Sequence, residues 1–375
     1  MASAPNKQPI FPSATNTVPV IVGPGAANVV NVPTISVRVC VPGTSTCQTI
    51  NNVLIDTGSS GLRIVASLLG SGAASFPQEH LPGGGPLAAC AQFADGYSYG
   101  AMVTADIAIG GETASGVPVQ LIGDARTQTV PASCSSAGTS MNSVATFHAN
   151  GVLGIGSSPF DCGSACAAQA IDGTYYDCTN ASSCTATAAP LASQAPNPVR
   201  RFALDNNGVI VQLPPVAQTG QATAIGTLVF GIGTASNNAL DSDATVVRTT
   251  RFGGFSAAIG TRAAQTAFVD SGTNVLLFVD PALSLCASPL IGFYCPASIA
   301  TEPVTVTGID SLSSTSSFSV VDLATLNKPS YAINDLGAEG TTFTILGLPF
   351  FYGRHIAVAI SGAATSSGVG PYVAY

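Results

Sequence analysis

Forty glycines and twenty-five prolines are spread along 375 residues, so few segments run long enough for a helix of several turns. Glycine weakens a helix interior and proline breaks it. Between these breaks lie short apolar or alternating runs that read as strands: 18–22, 34–41, 48–55, 101–109, 117–122, 208–213, 227–232, 267–270, 304–307, 318–321 and 356–360. The expected class is mainly β. Runs 34–41 and 48–55 flank Pro42-Gly43 as a hairpin, with Cys40 and Cys47 placed to staple its ends.

Hydrophobic residues make up 46% of the chain, which excludes disorder. Charged residues are only 8%, the net charge is −8, and Lys7 and Lys328 are the sole lysines. No basic patch exists to hold a phosphate backbone, so a nucleic-acid partner is excluded. No run of about 18 apolar residues occurs, so no membrane-spanning helix is expected. Residues 1–17 read as a polar tail without the apolar centre of a signal peptide.

The ten cysteines are Cys40, Cys47, Cys90, Cys134, Cys162, Cys166, Cys178, Cys184, Cys286 and Cys295. Their number points to an oxidising compartment, as for a secreted, periplasmic or cell-surface protein. If sequence neighbours pair, Cys40 joins Cys47, Cys286 joins Cys295, and Cys90 is left for Cys134. The group from Cys162 to Cys184 admits three pairings. Its spacing fits no common zinc module, and His80, His148 and His355 lie far apart, so no metal is expected. The surrounding segment, 157–198, is rich in Ala, Ser, Thr and Cys and reads as a surface insertion or connector pinned by disulfides.

Two internal echoes carry the chemistry. Val53–Ser60 reads VLIDTGSS and Phe268–Val275 reads FVDSGTNV; GVLGIG at 151–156 and TILG at 344–347 follow in the same order. One such Asp motif arises by chance about 0.06 times in a chain like this. Two, each after an apolar strand and 214 residues apart, imply related halves. The plain reading of each Asp is a residue capping its own turn. The functional reading is that each glycine permits a tight turn aiming its carboxylate outward, while Ser59 and Thr273 fix the rotamers. Facing each other, Asp56 and Asp270 would share one proton and titrate as a unit. One would take a proton from water while the other protonates a carbonyl oxygen.

These motifs resemble those of the pepsin-like aspartic proteases, the known example of such a shared proton. The resemblance covers most of the chain and is nearest to a bacterial branch of that fold. ISVRVCVPG and VLIDTGSSGLRIV are similar to its first hairpin and catalytic loop, and FADGYSYGAMVTADIAIGG to its flap. FALDNNGVIVQLPP with GTLVFGIG is similar to the crossing between lobes, and FVDSGTN with TILGLPFFYGRHIAVAI to the second Asp loop and its closing strand. The resemblance implies a bilobal double β-barrel with its cleft between lobes: a tail at 1–17, an N-terminal lobe at 18–200 with the flap near 90–110, and a C-terminal lobe at 201–375.

It further implies that Asp56 and Asp270 are the catalytic pair, that Thr57 and Ser271 cross-link the loops, and that Gly58, Ser59, Gly272 and Thr273 support them. The implied activity is hydrolysis of extended peptides at acidic pH by a monomer, using a catalytic water and no cofactor, on a peptide or protein substrate. Two positions depart from the family. Phe93 stands where the flap tyrosine is expected, and Tyr97 or Tyr99 serves only if the hairpin register differs. Arg63 replaces the partner tryptophan; near the cleft it would favour acidic substrates, and otherwise it is a surface residue at a strand end. These departures leave a second expectation open: a pepsin-like secreted recognition protein with weak or no catalysis.

Overall fold

The computed structural model describes residues 7, 15–326 and 329–375. The mainly β class holds, with a sixteen-stranded sheet, a seven-stranded sheet and a two-stranded ribbon among the described residues. Each strand expected from the sequence is present, most with small shifts at the ends. The hairpin Pro33–Cys40 and Cys47–Asp56 is closed by the Cys40–Cys47 disulfide, whose Cα atoms are 3.9 Å apart. Most of the expected tail falls outside the described residues. Of the rest, Thr17 already opens the strand Thr17–Val22, and Lys7 bridges Asp241 at 2.9 Å and Asp243 at 3.1 Å.

Both Asp motifs sit at the end of a parallel strand pair, in sheets whose pairings are mostly antiparallel. Cys47–Asp56 runs parallel to Gly151–Ile155, which also pairs antiparallel with Ser60–Val65. Gln265–Val269 runs parallel to Phe343–Leu346, which pairs antiparallel with Leu276–Phe278. The doubled sequence order is thus a doubled strand order. Parallel strands are buried on both faces, hence continuous apolar runs such as VLI and GVLGI. Val53, Ile55, Leu62, Ile64, Leu153 and Ile155 are sealed in the main core. Thr17–Val22 pairs with Ala224–Phe230, and Tyr372–Ala374 joins the same sheet, which thus carries strands from both ends of the chain.

Two expectations need correction. Segment 157–198 is not simply a surface insertion. Tyr175–Asn180 pairs with both Leu87–Phe93 and Ser183–Ala186, extending the large sheet, and Tyr175, Tyr176 and Cys178 are buried beneath it. Small residues mask the strand period there. The strands Ala300–Thr307 and Ser313–Val320 are longer than their apolar ends suggested. Their exposed rungs are joined by hydroxyl pairs, Thr301–Ser319 at 3.1 Å and Thr307–Ser313 at 2.8 Å, which hydropathy does not register.

Every cysteine is paired: Cys40–Cys47, Cys90–Cys134, Cys162–Cys166, Cys178–Cys184 and Cys286–Cys295. Of the three ways to join the central four, the chain uses the two shortest loops. Five disulfides indicate an oxidising compartment. Among the described residues no helix is long and apolar enough to cross a membrane.

Candidate active site

The two Asp loops meet where the parallel strand pairs end. Within each loop the local chemistry is the same. The Gly58 amide donates to Asp56 Oδ1 at 2.7 Å, and the Ser59 hydroxyl donates to Asp56 Oδ2. The Gly272 amide donates to Asp270 Oδ1 at 2.8 Å, and the Thr273 hydroxyl to Asp270 Oδ2 at 2.7 Å. Each carboxyl is held by its own turn, as an Asp followed two residues later by glycine allows.

Between the loops the bonds are reciprocal. Thr57 donates its amide to Ser271 Oγ at 3.1 Å and its hydroxyl to the Val269 carbonyl at 3.0 Å. Ser271 donates its amide to Thr57 Oγ1 at 2.9 Å and its hydroxyl to the Ile55 carbonyl at 2.8 Å. Both side chains are buried, so these bonds are shielded from competing water.

The glycines set how closely the carboxyls approach. A Cβ on Gly58 would lie 2.8 Å from Asp270 Cγ, and one on Gly272 would lie 2.7 Å from Asp56 Oδ1. Each motif's glycine therefore lies against the other motif's carboxyl. The second echo has a matching cause. A Cβ on Gly154 would meet the Ser60 backbone at 2.7 Å, and one on Gly347 would meet the Val275 and Thr273 carbonyls at 2.0 and 2.5 Å. The apolar-apolar-Gly motif recurs because each Asp loop rests on backbone with no room for a side chain.

Burial pushes the Asp270 carboxyl up to about 8, and the nearby negative charge of Asp56 and a hydrogen bond to its carboxyl act in the same direction. The Thr273 hydroxyl and Gly272 amide pull the other way without prevailing. The pair therefore retains a proton well above the pH at which an isolated carboxyl gives its proton up.

A family model described as protein of unknown function (DUF3443) matches residues 12–375. The chain belongs to the DUF3443 family. No curated protein matches it.

In this DUF3443 member a hairpin tip shares a cavity with the carboxyl pair. Leu87–Phe93 and Gly96–Ile109 pair with Phe93 opposite Gly96, leaving Ala94-Asp95 as the turn. Phe93, Ala94 and Asp95 line a cavity of about 270 Å³ whose wall also holds Asp56 and Asp270. Phe93 packs edge-on against Phe147, ring centres 5.8 Å apart. The register sends Tyr97 and Tyr99 elsewhere: both are buried beside the Cys90–Cys134 disulfide, and neither lines the cavity. They are not cleft residues, because Tyr97 faces Gln92 and Tyr99 faces Cys90 across the hairpin.

Arg63 lines a cavity that opens beside Gly58 and Ser59. It is 3% exposed, so it is no surface residue, and its charge is taken up inside the wall. Nη1 donates to the Ser60 carbonyl at 2.8 Å, and Nη2 meets Asp161 Oδ2 at 3.1 Å. The Tyr175 hydroxyl donates to the same carboxylate at 2.7 Å. Burial pushes Asp161 up, and the Arg63 charge and Tyr175 bond oppose that shift. Sequence reading missed Asp161 and Tyr175 because nothing local marks an ion pair formed 98 residues away. His148 also lines the cavity over the carboxyl pair, at φ 62° after the short helix Val144–Phe147. No group of three or more His, Cys, Asp or Glu among the described residues is arranged to hold a metal ion.

Proposed function

We propose that this chain is an aspartic-type endopeptidase with a pepsin-like bilobal architecture, its cleft lying between the two lobes and crossed by the 87–109 hairpin. The observation that carries the reading is the approach of Asp56 and Asp270, each lying against the other loop's glycine, with burial and the nearby Asp56 charge raising Asp270. A water between the carboxyls would lose its proton to the ionised member and attack the peptide carbonyl. The protonated member would donate to the carbonyl oxygen, giving a neutral tetrahedral intermediate. On collapse the C–N bond breaks as the amine takes a proton from the carboxyl that first accepted one, and a diol hydroxyl returns its proton to the other, now ionised, carboxylate. No acyl-enzyme forms and no cofactor takes part. The disulfides suit a secreted, periplasmic or cell-surface monomer acting on peptide or unfolded protein.

A second reading, a recognition protein on the same fold, is favoured by Phe93. It brings no hydroxyl to the hairpin tip, and its ring is engaged with Phe147. One experiment separates the two. Cleavage of an unfolded protein is followed from pH 3 to 8 for the parent, Asp56→Asn and Asp270→Asn. Parent activity that both substitutions reduce by at least ~10²-fold supports the hydrolase. A folded parent inactive at every pH overturns it and leaves the recognition protein. Equal activity in all three overturns the role of this pair.

A further inference from the structure

The fourth residue after each aspartate has its backbone carbonyl held by a buried side chain from outside the motif. In the first half this residue is Ser60, whose carbonyl accepts from Arg63 Nη1 at 2.8 Å. In the second half it is Asn274, whose carbonyl accepts from Asn31 Nδ2 at 2.9 Å. The residue just before each, Ser59 or Thr273, is the one whose hydroxyl holds Oδ2 of that aspartate. The two halves thus repeat one arrangement, with a guanidinium as the pin in the first and an amide in the second.

Both pins are fixed by partners of their own. Asn31 is 1% exposed and uses all four hydrogen-bonding positions of its amide. Nδ2 also donates to the Ile333 carbonyl at 2.8 Å, and Oδ1 accepts from the Ile333 amide and the Tyr352 hydroxyl, both at 2.9 Å. Its backbone is left-handed at φ 55°, a conformation asparagine tolerates better than most residues. Arg63 is fixed by Asp161, which the Tyr175 hydroxyl holds in turn. Val29 and Val32, which flank Asn31, line the cavity over the carboxyl pair together with Thr273 and Asn274. A buried amide with every bond made keeps its place, because a shift would strand polar groups away from water.

We infer that Asn31 and Arg63 are positioning residues for the carboxyl pair: each pins one Asp loop by that carbonyl, so that the Thr273 or Ser59 hydroxyl stays on its aspartate. The effect on rate rests on the proposed peptidase reading; the effect on Asp270 does not. The Thr273 hydroxyl draws Asp270 down against its burial, so a loosened loop should raise Asp270 further. A misplacement of ~1 Å costs ~10²-fold in rate.

The test compares Asn31→Gly, which removes the amide without left-handed strain, with Asn207→Ala. Asn207 is buried and donates in the same way to two carbonyls, Ile232 at 3.0 Å and Ala364 at 2.9 Å, but its partners lie in neither Asp loop. Arg63→Met with Asp161→Leu is the third chain; it replaces the ion pair by apolar packing and leaves the Ser60 carbonyl without that donor. kcat and KM are measured on one peptide, and the Asp270 carboxyl is titrated by carbon NMR, its signal assigned from its loss in Asp270→Asn. Asp56, Asp95 and His148, the other titratable groups on that cavity wall, are the same in every chain compared. kcat should fall at least ~10-fold for Asn31→Gly and for the Arg63–Asp161 double variant, with KM within about twofold of the parent. Asn207→Ala should lose stability and keep the parent's kcat. The Asp270 midpoint should rise by about one pH unit in Asn31→Gly, the scale of one hydrogen bond to a carboxylate, and stay in place in Asn207→Ala. Asn31→Asp, which keeps the shape and both acceptor bonds but has no Nδ2 for Asn274, takes the place of a glycine variant that does not fold. Parent kcat and parent midpoint in Asn31→Gly overturn the inference and leave the peptidase reading standing. Equal loss of kcat in Asn31→Gly and Asn207→Ala, with the midpoint unmoved, overturns it as general loosening. A raised midpoint in a protein whose parent cleaves nothing upholds the positioning role and removes the peptidase reading.

Discussion

Thr57 and Ser271 exchange backbone amides across the junction of the two Asp loops: each accepts the other's N–H on its hydroxyl oxygen, at 3.1 and 2.9 Å. Each hydroxyl then donates to the carbonyl just before the opposite aspartate. Thr57→Ala would strand the Ser271 amide and the Val269 carbonyl in a buried site, which costs about 2 kcal/mol. Urea titration should show that loss. Thr57→Ala with Ser271→Ala should cost less than the two singles added, because they share one network.

Gly58→Ala separates fold from chemistry. The new Cβ meets the Asp270 carboxyl at 2.8 to 2.9 Å, the mobile end of a side chain, so the chain should fold while that carboxyl is displaced. Peptidase rate should fall ~10²-fold with melting temperature little changed. Gly156→Ala instead meets the backbone carbonyls of Thr57 and Ser59, and calorimetry should show it destabilised by about 1–3 kcal/mol.

Stability should decline as pH rises through the neutral range. Asp270 holds its proton up to about 8 when folded, against an ordinary value of 3.8. Between those values the folded chain binds more protons than the unfolded one, so raising the pH favours unfolding. The contribution is complete below the ordinary value and is lost as pH climbs to the folded one. Asp335, raised by burial to about 6, acts with the same sign. Melting temperature measured from pH 4 to 9 should fall for the parent and fall less for Asp270→Asn. Peptidase rate should decline over the same range as the pair's last proton leaves.

The Arg63–Asp161 pair should be costly to break and inexpensive to replace. Asp161→Ala leaves a buried guanidinium uncompensated, a loss of about 3 kcal/mol, whereas Arg63→Met with Asp161→Leu should recover most of it. Denaturant midpoints on the four chains of that cycle measure the difference.

Disulfides should rank by the loop they close. Cys90–Cys134 spans 44 residues and Cys162–Cys166 spans 4. Chain entropy assigns about 4 kcal/mol to the first and about 2 kcal/mol to the second. Paired Cys→Ser variants should follow that order in urea. The untreated folded protein should show no free thiol.

Much of this was legible along the chain because it is local. Val53–Ser60 and Phe268–Val275 declare themselves through an apolar run, an Asp and a turn glycine within eight residues. The hairpin stapled by Cys40 and Cys47 is equally local. Tyr97 and Tyr99 were not legible, since a slip of one residue in pairing Phe93 with Gly96 exchanges the two faces of the strand. Nor was the burial of Tyr175 and Tyr176, hidden in a stretch of small residues.

By itself the sequence determined a β protein with two Asp loops and the glycines that support them, because turn and strand preferences act between neighbours. Tertiary structure alone decided that the Asp loops clasp through Thr57 and Ser271 and that Asp161 consumes the charge of Arg63. Those outcomes depend on which groups leave water together. Burial strengthens a charge's interaction with whatever lies beside it, and in this chain those partners come from 98 to 214 residues away.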